Sequence, residues 1–182
     1  DYASPLARLH AIWGLGILAE NGNAPAVAGL LKALDFPHPE HRTAASRCLG
    51  NASNEVKPAQ RVRIVSYLAS RAHFEDSPRA LVQQLLALGK YGHPIAAEHL
   101  LAQADHDEPN VRSAVAYGLQ HCLKPPALVA LAEDESPAVR LAATVALRRQ
   151  VSPAVARFLK DEDPAVAAEA ARAIYDLELK QA

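Results

Sequence analysis

The sequence predicts an all-α protein, a right-handed α-solenoid of about six short helical repeats with about eleven helices. Two observations predict it. The phrase Pro-x-x-Arg-x-Ala-Ala-x-x-small-Leu comes round six times, anchored at Pro5, Pro39, Pro78, Pro109, Pro137 and Pro164. Composition agrees: of 182 residues 50% are apolar but only 5% aromatic, and alanine and leucine lead. These two lose little on entering a helix, whereas strands favour β-branched and aromatic side chains.

The phrase keeps its register. Ten residues after the anchors stand Leu15, Leu49, Leu88, Leu119, Leu147 and Ile174. Nine after stand the small residues Gly14, Cys48, Ala87, Gly118, Ala146 and Ala173. Three after, four repeats carry arginine: Arg8, Arg42, Arg112 and Arg140.

Each anchor proline suits the first turn of a helix, where its missing N–H costs nothing. A capping residue precedes it at Ser4, Ser77, Ser136 and Asp163, with His38 and Glu108 as exceptions. The repeats therefore start near 4, 38, 77, 108, 136 and 163, in one domain over 1–182 whose last repeat is incomplete. Second helices are predicted over 24–34, 58–72, 94–104, 126–133 and 153–160. Anchor spacings of 34, 39, 31, 28 and 27 shorten the later units to two short helices and tight turns. The third repeat departs from the phrase at Gln83 and Gln84, which predicts a rotated helix with Leu81, Val82, Leu85 and Leu88 facing in, or else a break in curvature where a partner docks.

A formal charge of -1 makes no global case for nucleic acid or an anionic membrane. No apolar run approaches the ~20 residues of a membrane-inserted helix. Cys48 and Cys122 lack CxxC spacing and lie two repeats apart, so Cys48 is expected as a buried small hydrophobe, not half of a bridge. The chain has no methionine, and its last repeat stops after one helix, leaving Leu177 and Leu179 near a bare end. Both features predict a piece cut from a longer protein.

Candidate chemistry is sparse. The sequence holds no Gly-rich phosphate loop, Gly-x-Ser-x-Gly or His-Glu-x-x-His, so no catalytic residue and no cofactor is predicted. Asp35, His38 and His41 form one loose cluster and Asp105, His106 and Asp107 another; neither closes a metal site. His10 is expected to pack within the first repeat. The charged stretch at 57–74 holds Lys57, Arg61, Arg63 and Arg71 with no acid. It suits a solvated helix face balanced by Glu55, Glu75 and Asp76, or a basic stripe for an acidic protein partner. A nucleic-acid backbone suits it least, with only Trp13 as a tryptophan platform.

Glu108-Pro109-Asn110-Val111-Arg112-Ser113-Ala114 and Ser136-Pro137-Ala138-Val139-Arg140-Leu141-Ala142-Ala143 resemble HEAT-like repeats, including the short variant of phycobilisome-lyase-like proteins. That resemblance implies an arginine ladder to acids of adjacent turns, here Asp76, Asp107, Glu135 and Glu162, broken where Leu81 and Ala167 replace arginine. It also implies second helices on the concave face. The stretches from Ala7 to Gly16 and from Asp163 to Leu177 are similar to the HEAT region of large planctomycete and verrucomicrobial proteins described as membrane-bound dehydrogenases or haem-binding proteins. Those join a propeller, a HEAT segment and a cytochrome-c-type domain, although Cys-x-x-Cys-His is absent here. The resemblance implies a non-catalytic, extracytoplasmic scaffold segment whose partners are proteins or neighbouring domains. The alternatives are a HEAT-like lyase or DNA glycosylase, and a free-standing adaptor for an acidic partner.

Overall fold

The computed structural model describes residues 4–177, which include Leu177 but not Leu179. The first repeat pairs α1 (Pro5–Glu20) with α2 (Ala24–Ala33), and the second pairs α3 (Pro39–Asn51) with α4 (Pro58–His73). In the third, α5 (Pro78–Tyr91) is followed by a 3-10 turn (Pro94–Ala96) and α6 (Ala97–Leu101). In the fourth, α7 (Pro109–Cys122) is followed by α8 (Pro125–Ala130) and a 3-10 turn (Leu131–Glu133). The fifth has α9 (Pro137–Arg149) and only a 3-10 segment (Pro153–Phe158), and α10 (Pro164–Asp176) ends the stack. Among the described residues this makes six first helices and five second helices, with no strand. The second helix thins as the anchors draw together, because a tight 3-10 turn needs fewer residues than an α-helical one. None of these helices is long and apolar enough to cross a membrane.

The core is the seam between the two layers. Leu49, Leu88, Leu119 and Leu147 are fully buried in one apolar cluster with the second-layer residues Leu30, Leu68, Leu100 and Leu128. Leu15 and Ile174 hold the same register but are only half-buried, since a terminal repeat has one neighbour instead of two.

First helices approach one another through glycine. A Cβ on Gly16 would lie 2.6 Å from Cys48 Sγ, one on Gly50 would lie 3.1 Å from Ala87 Cα, and one on Gly89 would lie 2.9 Å from Gly118 Cα. The close contact thus joins the residue eleven after one anchor to the small residue nine after the next. Gly14, small in the same register, is exposed and meets nothing within 4 Å. At the last two boundaries the eleventh position carries Gln120 and Arg148 instead of glycine. The second helices touch one another far less extensively than the first. The first layer is therefore the more closely packed of the two.

The third repeat is not simply rotated. Leu81, Leu85 and Leu88 are buried and Val82 half-buried, yet Gln84 is also fully buried. Its amide Nε2 donates to Glu75 Oε2 at 2.9 Å, so the donor half of this buried amide has a charged partner, while its Oε1 has none.

Candidate interaction face

The arginine three residues into the first helix ties two turns together. Arg42 Nη1 donates to the carbonyls of Phe36 and Pro37 at 3.1 and 2.8 Å, in its own turn. Its Nε and Nη2 donate to the two Glu75 oxygens at 2.8 and 2.6 Å, in the next turn, with Asp76 at 2.8 Å beside them. Arg140 repeats the pattern on the carbonyls of Asp134 and Glu135, on Asp161 at 2.9 and 3.0 Å, and on Glu162 at 3.3 Å. The planar guanidinium serves both partners because its five donors point in fixed, separate directions. The sequence places the acid two residues before the anchor; the principal partner stands three before. Asp76 and Glu162 lie outside it in solvent, with side chains 89% and 86% exposed. The hydrogen bonds from Arg140, opposed by desolvation, hold the Asp161 carboxyl below its ordinary range, and those that Arg42 donates to Glu75 hold its guanidinium above its own.

The other rungs differ. Arg112 takes only its own turn, the carbonyls of His106 and Asp107 at 2.6 and 2.8 Å, so Asp107 contributes backbone and not charge. Glu135 likewise contributes its carbonyl, to Arg140. Arg8 has its guanidinium carbon 5.8 Å from the centre of the Phe36 ring, and Phe36 holds the position that Glu75 and Asp161 hold later. Leu81 breaks the ladder in repeat three, where Gln84, one helical turn on, secures Glu75 from the other side.

The basic stretch at α4 divides. Arg71 is bound to Asp35 at 2.7 Å, and the Tyr67 hydroxyl donates to the same carboxylate at 2.6 Å. The Arg71 guanidinium also lies 4.9 Å from the Tyr67 ring centre. Arg61 Nε donates to the Val56 carbonyl at 3.2 Å. Lys57 and Arg63 are exposed, and Arg63 faces away from Arg61 because two residues span more than half a helical turn.

The histidines serve as caps and packing. His38 Nδ1 accepts the Glu40 N–H at 3.2 Å, and His106 Nδ1 accepts that of Glu108 at 3.0 Å. His41 Nε2 lies 2.9 Å from the Pro5 carbonyl, and His10 meets Trp13 edge-on at 5.2 Å. Among the described residues no three His, Cys, Asp or Glu side chains converge as a metal site. Cys48 and Cys122 are free and buried; desolvation raises both thiols, Cys122 to about 11.

The feature that sequence reasoning missed is a furrow across the first helices. A cavity of ≈ 680 Å³ opens between α5 and α7, floored by Val82, Leu86, Val111 and Ala114 and closed by Arg149 of α9. A recess of ≈ 230 Å³ between α3 and α5 shares Gln83, Leu86 and Tyr117 with it and adds Arg47 and Lys90. A recess of ≈ 400 Å³ between α7 and α9 shares Ser113 and Arg149. The first two hold Arg47, Arg79, Lys90 and Arg149 against one acid, Glu108. Arg79 is bound to Glu40 at 2.6 Å. Lys90 donates instead to Asn51 Oδ1 at 2.6 Å, and Arg149 to the Ser113 carbonyl and hydroxyl at 3.2 and 3.3 Å. Desolvation and then the neighbouring Arg148 hold the Arg149 pKa below the usual arginine value.

The signal for this face is present in the repeat. Eight residues after the anchors stand Trp13, Arg47, Leu86, Tyr117 and Val145, and twelve after stand Ile17, Asn51, Lys90, His121 and Arg149. Positions four apart share one helix face. Trp13 and Ile17, the equivalents on α1, are 40% and 65% exposed.

No family model matches the chain, and no curated protein matches it. Among solved structures, YibA of E. coli is similar at 18% identity with a TM-score of 0.56, over 99% of this chain and 68% of that one. At such identity the likeness shows the fold alone, and the chain is accordingly an all-helical repeat stack of the kind that YibA also forms.

Proposed function

We propose that this chain is a non-catalytic protein-interaction segment, a scaffold that holds a partner or neighbouring domain on its first-helix face. One observation carries the reading: three recesses, each sharing lining residues with the next, span four consecutive first helices, α3, α5, α7 and α9. A binding surface is built where a rigid stack presents apolar floor and polar rim together. The stretches at its two ends support a place in a larger exported protein, between a propeller and a cytochrome-c-type domain.

The test is photocrosslinking in cells that make the whole natural protein. A photoreactive residue replaces Leu86 or Tyr117 in the furrow, or Arg63 on the outer side of α4. Adducts of one defined mass, or an internal crosslink to another domain, are expected from 86 and 117 and not from 63. Adducts from 63 alone, or from none of the three, overturn the reading.

A further inference from the structure

We infer that the furrow takes an extended acidic segment of polypeptide, whose carboxylates are received by Arg47 and Lys90 at one end and Arg149 at the other. This rests on the interaction reading above and names the occupant of that surface.

Charge argues for it first. In the recesses between α3, α5 and α7 the cations outnumber the acid, even with Arg79 held by Glu40, and the recess between α7 and α9 adds Asp105 beside Arg112 and Arg149. Three of these cations hydrogen-bond only neutral groups or solvent, with Glu169 attracting Arg149 from beyond bonding distance. Lys90 has an amide oxygen, Arg149 a carbonyl and a hydroxyl, and Arg47 lies exposed in the recess it lines. Elsewhere Arg42, Arg71, Arg140 and Arg148 are each bound to a carboxylate. The Arg149 guanidinium is exposed at the recess it lines, so a carboxylate can reach it directly in a charge-assisted hydrogen bond.

Shape argues for an extended peptide. From α3 to α9 there are three helix spacings, about 25 Å in all at ordinary packing distances. An extended chain covers that with about eight residues. Gln83, Asn110 and Ser113 on the rim offer both donors and acceptors, as a peptide backbone requires. Val82, Leu86 and Ala114 beneath them accept the apolar parts of its side chains. Tyr117, shared by the recesses on both sides of α5, supplies a flat contact midway. Glu108 on the same rim, with a single tyrosine for a platform, suits a nucleic-acid strand poorly, since such grooves pair continuous positive charge with several stacking rings.

The experiment is fluorescence anisotropy at low salt with a fluorescein-labelled peptide of about twelve residues alternating glutamate and alanine, long enough to overlap the furrow. Controls are the lysine–alanine peptide and a labelled thymidine oligonucleotide of equal length. Saturable binding of the acidic peptide is expected, with neither control bound. Arg149→Glu, and separately Arg47→Glu, should weaken it about tenfold or more, while Arg63→Glu on α4 should leave it unchanged. Arg149→Gln is the gentler variant, and far-UV circular dichroism confirms that each variant folds. Trp13 emission gives a second readout, as the only tryptophan sits exposed on the same face. Failure of the acidic peptide to bind, equal loss with Arg63→Glu, or tighter binding of the oligonucleotide overturns the inference. Crosslinks at 86 and 117 to a basic or neutral partner would leave the interaction reading standing and overturn this one.

Discussion

Arg140 and Asp161 meet across a repeat boundary in a two-pronged ion pair, Nε and Nη2 at 2.9 and 3.0 Å from the two carboxylate oxygens, with both side chains 5% exposed. The pair joins α9 to the turn before α10 while Arg140 also holds the turn before α9. One guanidinium therefore sets the spacing of three consecutive chain segments.

That pair makes stability acid-sensitive. The Asp161 pKa is lowered in the folded protein, so its contribution is complete above the ordinary value of 3.8 and is lost as pH falls through the lower folded value. Urea unfolding of the native protein and Asp161→Asn should show the variant less stable at pH 7, with the gap closing as pH drops below about 4. A gap that stays constant with pH would contradict the assignment.

Gly89 and Gly14 separate packing from propensity. Alanine favours a helix over glycine by about 1 kcal/mol at either position. At Gly14 nothing opposes this, and Gly14→Ala should stabilise by about 0.5–1 kcal/mol. At Gly89 the new methyl meets the backbone of α7, and Gly89→Ala should destabilise by about 1–3 kcal/mol. Equal effects in denaturant melts would mean that α5 and α7 are not in close contact.

Val151 closes α9 at φ 55, the left-handed conformation that Gly92 adopts at the end of α5 with φ 61. A β-branched residue is strained there, and its side chain is 56% exposed, so little packing is lost with it. Val151→Gly should raise stability by about 1 kcal/mol, visible as a higher thermal midpoint.

Leu119 is fully buried in the seam of repeat four. Leu119→Ala should cost about 2–5 kcal/mol in equilibrium unfolding. A loss under about 1 kcal/mol would mean that Leu119 does not pack in the seam between the two layers.

The two thiols offer a probe of opening. With Cys122 near 11 and Cys48 also raised, the reactive thiolate is scarce at pH 8 and both sulfurs are buried. A thiol reagent should label neither within minutes in native buffer and both in urea. Rapid native labelling of Cys48 would show that α1 lifts from α3, since Gly16 of α1 is what covers that sulfur.

The sequence by itself determined the repeats, and the reason is local. A proline at the first turn, a cap before it and leucine ten residues on set where each helix starts and which side is buried. Those choices involve residues within one or two turns of each other, so they can be read along the chain. The tertiary structure decided everything that depends on what the next repeat offers. Only in three dimensions does Gly89 face Gly118, and only there does Arg42 find Glu75 ahead of Asp76. Gln84 looks misplaced in its own helix until Glu75 is seen beside it. The furrow follows the same logic. Arg47, Lys90, Tyr117 and Arg149 lie on four different helices, of which glycine contacts draw the first three together, while Arg149 reaches back from α9 to Ser113. Distances between repeats are a property of the stack, and no single segment of the chain encodes them.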